Sequence, residues 1–265
     1  MKRLNRKEKK TISSLIKKGK SLNYISKLVN KNKSTLYYHY KNLFGKKLKD
    51  LEIDSKDDLF IGELIGLFVG DGYCFFDKKK YVYSIRLYFN NTEKDYVNSI
   101  INLFYEKLNK KPHLNRVKNV LVLRYYSKEL FNFILGYVGW GISINRAGHN
   151  KKSRTVFLKD LPYSKEFKIG FLRGFVDTDG HISNKKINFA SASKKIMEQT
   201  NSFLTDLGFN DFNYFFYKEK RPNMVGMHHI NLNKSERDKF FRIIQPRNLV
   251  KLKTASVGDR TRVSA

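Results

Sequence analysis

The chain is poor in the residues that staple or punctuate a fold. Among its 265 residues there are one cysteine, Cys74, one tryptophan and four prolines. A single thiol excludes an internal disulfide framework and any CxxC metal site, and it fits a reducing compartment. Acidic residues are scarce too: 24 against 53 lysines and arginines, for a formal charge of +29. A folded chain this basic repels itself unless a polyanion is near. Nucleic acid, whose phosphates release counterions when neutralised, is the partner such a charge implies. The basic start MKRLNRKEKK leads into no apolar secretory core. The most apolar run, Leu59 to Phe76, is broken by Glu63, Asp71 and Gly72, which argues against a bilayer span. No basic amphipathic helix stands alone to favour a membrane surface. The expected location is intracellular, cytoplasmic or nucleoid-associated, with an organelle as the alternative.

What is present suffices for packed cores. A hydrophobic fraction of 41% and an aromatic fraction of 14% exclude a disordered polyelectrolyte. Residues 1–50 hold 16 basic and 2 acidic residues, and so +14 of the total charge. Ile12, Leu15 and Ile16 have helical spacing, and Gly19 suits a left-handed cap after that helix. Ser21 caps a second helix, Leu22 to Val29. After Asn30-Lys31-Asn32, Ser34 and Thr35 open a third, which Gly45 ends. This reads as a helix-turn-helix. If so, Ser34, Thr35 and Tyr38 lie near base edges, with Lys31, Lys33 and Lys41 on phosphates. Residues 51–58, LEIDSKDD, read as a linker.

Beyond the linker the sequence repeats. LFIGELIGLFVGDG (59–72) aligns with FKIGFLRGFVDTDG (167–180) at an offset of 108 residues, sharing Ile61/Ile169, Gly62/Gly170, Leu64/Leu172, Gly66/Gly174, Asp71/Asp179 and Gly72/Gly180. Each copy is followed by an alternating hairpin, a helix, two more strands and a closing helix. The fold class is therefore α+β: tandem αββαββα units with pseudo-two-fold symmetry, residues 59–160 and 161–254, preceded by a small all-α domain. Residues 255–265 resemble neither unit and are expected to be disordered.

Gly62, Gly66 and Gly70 fall four apart on one helical face, as do Gly170, Gly174 and Thr178. Each interior glycine costs a helix roughly 0.5–1 kcal/mol relative to alanine, so the stripes need a reason. Packing the two helices through them, backbone against backbone, supplies one. That packing brings both helix C-termini together, with Asp71 and Asp179 side by side at the negative ends of two macrodipoles. A divalent cation reverses the sign of both penalties. Gly72 and Gly180 are expected in left-handed turns leading into the first strands.

The segments LIGLFVGDG (64–72) and LRGFVDTDG (172–180) resemble the two motifs of a single-chain LAGLIDADG homing endonuclease, over roughly residues 59–254. RTVFLKDLPYSKEFKIGFLRGF is similar to that family's lead into its second motif. The resemblance implies a monomer that cuts double-stranded DNA by Mg²⁺- or Mn²⁺-assisted phosphodiester hydrolysis, in the homing of a mobile intron or similar element. It implies metal on Asp71 and Asp179, with backbone carbonyls from Gly70 and Thr178. It also implies a basic residue by each scissile phosphate: Lys152 in the first unit, and Lys253, with Lys251 as the fallback, in the second. Glu93 and Ser193 would be water-network residues. The motif's first acidic position is Asp177 in one copy but Val69 in the other, which makes the halves unequal.

The strands would supply recognition. Between Tyr81 and Asn90, alternation puts Ser84, Arg86, Tyr88 and Asn90 on one face, with Arg86 suited to guanine and Asn90 to adenine. Lys78 to Lys80 at the hairpin tip suit phosphates, and Arg116, Lys118 and Arg124 extend the surface. Lys185, Lys186 and Asn188 are the counterparts in the second unit. His228 and His229, adjacent on a strand, point to opposite faces and make no zinc pair. His149-Asn150 lacks the flanking partners of a histidine-metal nuclease. Two alternatives stay open: a DNA-binding transcriptional regulator that does not cut, and an RNA maturase whose partner is a host intron RNA.

Overall fold

The structure is a computed structural model that describes residues 4–44, 51–143, 152–218, 225–248 and 251. Gly45, His149, Asn150, Lys253 and residues 254–265 lie outside the described residues. The chain divides into two compact units, Met1–Asp50 and Leu51–Ala265. The first holds three helices: α1 (Arg6–Lys17), α2 (Leu22–Val29) and α3 (Lys33–Phe44). Asn5 opens α1 with a capping box to Glu8, and the Ser21 side chain accepts from Tyr24 N at the start of α2. Gly19 and Asn30 take positive φ after α1 and α2, as such helix ends require. Ile12, Ile16, Ile25 and Leu36 form the buried centre of this unit. Among the described residues, no helix is long and apolar enough to cross a membrane.

In the second unit the order is α4 (Asp58–Asp71), β1 (Gly72–Asp77), β2 (Val82–Asn90), α5 (Lys94–Leu108), β3 (His113–Val117), β4 (Val120–Tyr126), α6 (Lys128–Tyr137), β5 (Val138–Trp140), β6 (Val156–Leu158), α7 (Lys165–Asp179), β7 (His181–Ile182), β8 (Ile187–Ser191), α8 (Lys194–Asp206), β9 (Phe212–Tyr217), β10 (Met227–Leu232) and α9 (Arg237–Ile243). The two four-stranded sheets share one topology, β1-β2-β4-β3 and β7-β8-β10-β9, all antiparallel. The α+β repeat read from the sequence is thus the observed architecture. The hairpin β5–β6 was not anticipated: its strands have three residues each, too short for a periodic signal. The segment expected as a linker instead packs on this unit. Leu51 is buried in its core, Glu52 N donates to Leu108 O, and Asp57 caps α4 while pairing with Lys107 at 3.0 Å.

Each sheet buries one face. Ile85, Leu87, Phe89, Leu121, Leu123 and Tyr125 lie inward from the first, and Ile187, Phe189, Ile230 and Leu232 from the second. Between them run α4 and α7, nearly sealed from solvent: every residue from Phe60 to Val69 is buried, and every one from Gly170 to Asp177. A helix apolar on all sides belongs in such a place. The two helices meet through their glycines. A Cβ on Gly62 would overlap the Phe167 carbonyl oxygen and lie 2.8 Å from Phe171 N, and one on Gly66 would overlap the Phe171 carbonyl and lie 2.8 Å from Phe175 N. Gly170 and Gly174 face Leu59, Glu63 and Leu67 backbone atoms in the same way. One ion pair is sealed in this interface: Arg173 Nη1 lies 3.2 Å from Glu63 Oε2, both side chains at most 5% exposed.

Gly66→Ala should destabilise the protein by about 1–3 kcal/mol, the usual cost of overpacking, read as a fall in the urea midpoint. Gly136→Ala, at a helical site with no atom within 4 Å of the added Cβ, should leave the midpoint unchanged or raise it. An unchanged Gly66→Ala midpoint would contradict the backbone-to-backbone contact.

Candidate active site

Asp71 is the last residue of α4 and Asp179 the last of α7. The glycines that follow do not take the expected left-handed turn. Gly72 has φ −88° and ψ 151°, Gly180 φ −84° and ψ 164°, both extended, so that each helix passes straight into a strand. Space, not handedness, demands glycine here. A Cβ on Gly72 would lie 2.5 Å from Phe68 Cα, and one on Gly180 2.5 Å from the Val176 carbonyl oxygen. The end of the glycine stripe sets the two acids side by side: a Cβ on Gly70 would lie 2.7 Å from Thr178 Cβ and 3.4 Å from Asp179 Cγ.

Two lysines close this site from below. Lys152 Nζ donates to the carbonyls of Phe68 and, at 2.9 Å, Val69, and its ammonium rests 4.6 Å from the Phe68 ring centroid. Lys251 Nζ donates to Val176 O at 3.2 Å, to Thr178 O and to Gly180 O at 2.7 Å. Each ammonium thereby satisfies terminal carbonyls of one motif helix and offsets its negative end. Of the carbonyls expected to bind metal, that of Thr178 holds Lys251. Lys253 lies outside the described residues, and the fallback Lys251 stands at the end of α7.

The four charged groups act on one another. Burial, then the Asp179 charge, raise the Asp71 carboxyl to about 7, against the pull of Lys251 and Lys152. Asp179, open to solvent on one side, is also raised, by burial, with the same two lysines opposing. Burial lowers Lys152 to about 8 and lowers Lys251, while the aspartates hold both ammonium groups up. No donor among the described residues hydrogen-bonds either Asp71 or Asp179. Two partly desolvated, mutually repelling carboxylates form a site that a divalent cation relieves. Among the described residues, no three acidic, histidine or cysteine side chains are grouped so that they could hold a metal ion together. A divalent ion held by the two carboxylates would draw any further oxygens from backbone, water or substrate phosphate.

The neighbouring polar residues divide clearly. Glu93 is held by Asn90 N at 2.9 Å and by Asn248 Nδ2 at 2.7 Å, and its charge helps raise Asp71. Ser193, expected in a water network, is instead buried with its hydroxyl on Val156 O at 2.6 Å. Asp177 is buried and accepts from Arg247 N, Asn248 N and Tyr96 Oη. The sequence reading missed Arg247 and Asn248. Their signal was faint: a lone buried acid at Asp177 needs donors, and sequence does not say which.

Register sorts the expected groove residues. Tyr73, Arg86, Arg124 and His113 form one row across the first sheet. Arg86 also lies 6.0 Å from the Tyr73 ring, and Arg124 donates to Tyr126 Oη at 3.0 Å. Tyr88 shares that face. So does Ser84, but it is buried and accepts from Arg86 Nε, a support for Arg86 and not an open reader. Arg116 pairs with Leu121 and so points to the opposite face, exposed at the sheet edge with its Nε on Lys118 O. Asn90 spends its amide oxygen capping the turn at Thr92. Lys78, Lys80, Lys185 and Lys186 are exposed near their hairpin turns, and Lys118 sits in the β3–β4 turn. In the second sheet His181, Asn188, Asn231 and Asn213 form a row, with Asn188 Nδ2 on Asn231 Oδ1 at 2.7 Å. In the N-terminal unit Lys33, Ser34 and Tyr38 are exposed and Thr35 half-buried on α3.

The linkage sign at Asp71 follows from its raised value. Between the ordinary 3.8 and about 7 the folded carboxyl keeps a proton that the unfolded one has lost, so metal-free protein loses stability as pH rises through that window. Asp71→Asn lacks this loss. In chelator, its urea midpoint should gain on the wild type from pH 5 to pH 8, and a pH-independent difference would contradict the assignment.

Residues 166–245 match the model of the LAGLIDADG-like domain. No curated protein matches the chain in sequence. Among solved structures, I-DmoI in complex with DNA and Ca is 18% identical, covering 72% of this chain and 91% of that one with a TM-score of 0.52. A mesophilic variant of the homing endonuclease I-DmoI is 19% identical over 71% and 96%, with a TM-score of 0.51. The homing endonuclease I-WcaI, bound to its DNA recognition sequence, is 16% identical over 84% and 92%, with a TM-score of 0.49. The second repeat thus matches a LAGLIDADG-like domain, and the chain shares the fold of the I-DmoI structures.

Proposed function

We propose that the protein is a site-specific DNA endonuclease that makes a double-strand break by Mg²⁺- or Mn²⁺-dependent phosphodiester hydrolysis. The observation that carries this reading is the pairing of Asp71 and Asp179 at two helix ends, each end holding a lysine ammonium. A DNA-reading fold without chemistry has no need to assemble two repelling carboxylates. Both aspartates would hold the divalent ion, which when bound activates water and stabilises the leaving oxygen. Lys152 and Lys251 stand where they can offset charge that develops on the phosphate. The row Arg86–Arg124 offers guanine-edge donors to one half of the target, and the Asn188–Asn231 row offers adenine-edge amides to the other. The lysines of the hairpin turns hold phosphates. Two motifs in one chain make the unit a monomer that addresses both strands. In the N-terminal unit, α3 would enter a neighbouring major groove as the second helix of a helix-turn-helix.

Wild-type protein should linearise a plasmid carrying its site in Mg²⁺. Asp71→Asn and Asp179→Asn should bind that site while cutting slower by about 100-fold or more. Unimpaired cutting by both variants refutes the assignment. Specific binding by a wild type that never cuts favours a regulator, and stimulation of intron splicing favours a maturase.

A further inference from the structure

The two lysines are held by different means. Lys152 opens a short turn that runs directly into β6, and β6 is fixed on both edges. It pairs with β5 on one side, and on the other Gln199 bonds both Leu158 N and Leu158 O. Thr155 closes the turn through its N–H to Lys152 O and its hydroxyl to Gly141 O. Residues 245–248, which lead to Lys251, form neither helix nor strand. The N–H groups of Arg247 and Asn248 have no ladder to join, yet Asn248 is fully buried. The Asp177 carboxylate takes the place of a strand partner. It accepts from Arg247 N at 2.9 Å and from Asn248 N at 3.1 Å, and Asn248 Nδ2 returns to Asp177 O at 3.1 Å and to Glu93 Oε1 at 2.7 Å. The segment is pinned from both sides of this point: Arg173 Nε donates to Ile244 O at 2.7 Å, and Arg247 Nε lies 2.8 Å from Glu63 Oε1. At the matching position of α4 stands Val69, buried and apolar.

We propose that Asp177 is a positioning residue, which with Asn248 docks residues 244–248 so that Lys251 reaches the end of α7, and that Lys152 does not depend on it. One half of the site is thus held by a sheet and the other by a buried carboxylate. The consequence for strand cleavage rests on the nuclease reading; the placement of Lys251 does not.

Two readouts on the full-length protein keep these apart. In metal-free protein, acylation of lysines by an amine-reactive ester, followed residue by residue by mass spectrometry, should find Lys152 and Lys251 both slow. Asp177→Asn should raise the Lys251 rate roughly tenfold or more, as expected from leaving a buried N–H unpaired, with Lys152 unchanged. Asn248→Ser should shift the same lysine in the same direction, which serves if Asp177→Asn folds poorly. On end-labelled duplex target, Asp177→Asn should slow one strand more than the other and accumulate the nicked form that Lys251→Met accumulates, and the double variant should be no slower than Lys251→Met alone. Lys251 reactivity unchanged in both variants, equal exposure of both lysines, or equal slowing of both strands overturns the proposal. A wild type that cuts no DNA, combined with selective exposure of Lys251, sinks the nuclease reading and leaves the positioning role standing.

Discussion

The backbones of α4 and α7 lie against each other with no side chain between them, and the rest of the large unit is built around that contact. Four glycines permit it, since a Cβ at Gly62, Gly66, Gly170 or Gly174 would overlap main-chain atoms of the opposite helix. The helices surrender propensity for close approach, and the return is positional. Two identical crossings a turn apart fix translation and rotation together, so the helix ends cannot drift relative to each other. Asp71 and Asp179 inherit that placement because each is the final helical residue, and extended glycines carry the chain at once into the first, edge strand of each sheet.

Bringing two helix C-termini together concentrates negative potential, from unsatisfied carbonyls as much as from carboxylates. The molecule answers with Lys152 and Lys251, one ammonium on each set of carbonyls. The answer is partial: the Asp71 carboxyl still rises to about 7. A residual demand for positive charge, localised where the two helices end between the two sheets, is the physical meaning of the site. The buried pair Glu63–Arg173 and its neighbour Arg247 add charge on the side of the second repeat alone. At the 108-residue offset, Glu63 and Arg173 correspond to Phe171 and Ile65, both buried and apolar. Symmetry of fold and asymmetry of polar support therefore coexist.

The sequence carried the helices, the repeat and the two aspartates because each is written in local residue types: glycine at every fourth place, Asp-Gly at the end, alternation beyond. The choice of Lys152 came from the family resemblance, and the structure places it under α4. What stayed illegible depends on long-range pairing. Arg116 looked like a groove residue until its register against Leu121 was known. Asn90 looked like a base reader, but its side chain closes a local cap. Gly72 and Gly180 were read as left-handed, whereas the atoms they make room for belong to the preceding turn, a constraint of volume that the letter G does not distinguish from one of φ. Asp177 was read only as an asymmetry between the motifs, and its hydrogen-bond partners, Arg247 and Asn248, are too far away in sequence to be read locally.

The central claim is that one glycine-lined contact forces Asp71 and Asp179 to share an environment. Titration of the Asp71 carboxyl carbon by NMR in metal-free protein, with Asp179 present and with Asp179→Asn, addresses it directly. In the wild type the midpoint should stand near 7. In Asp179→Asn it should fall, yet remain above the ordinary carboxylate range because burial persists. An Asp71 midpoint that does not respond to loss of the Asp179 charge would contradict the account.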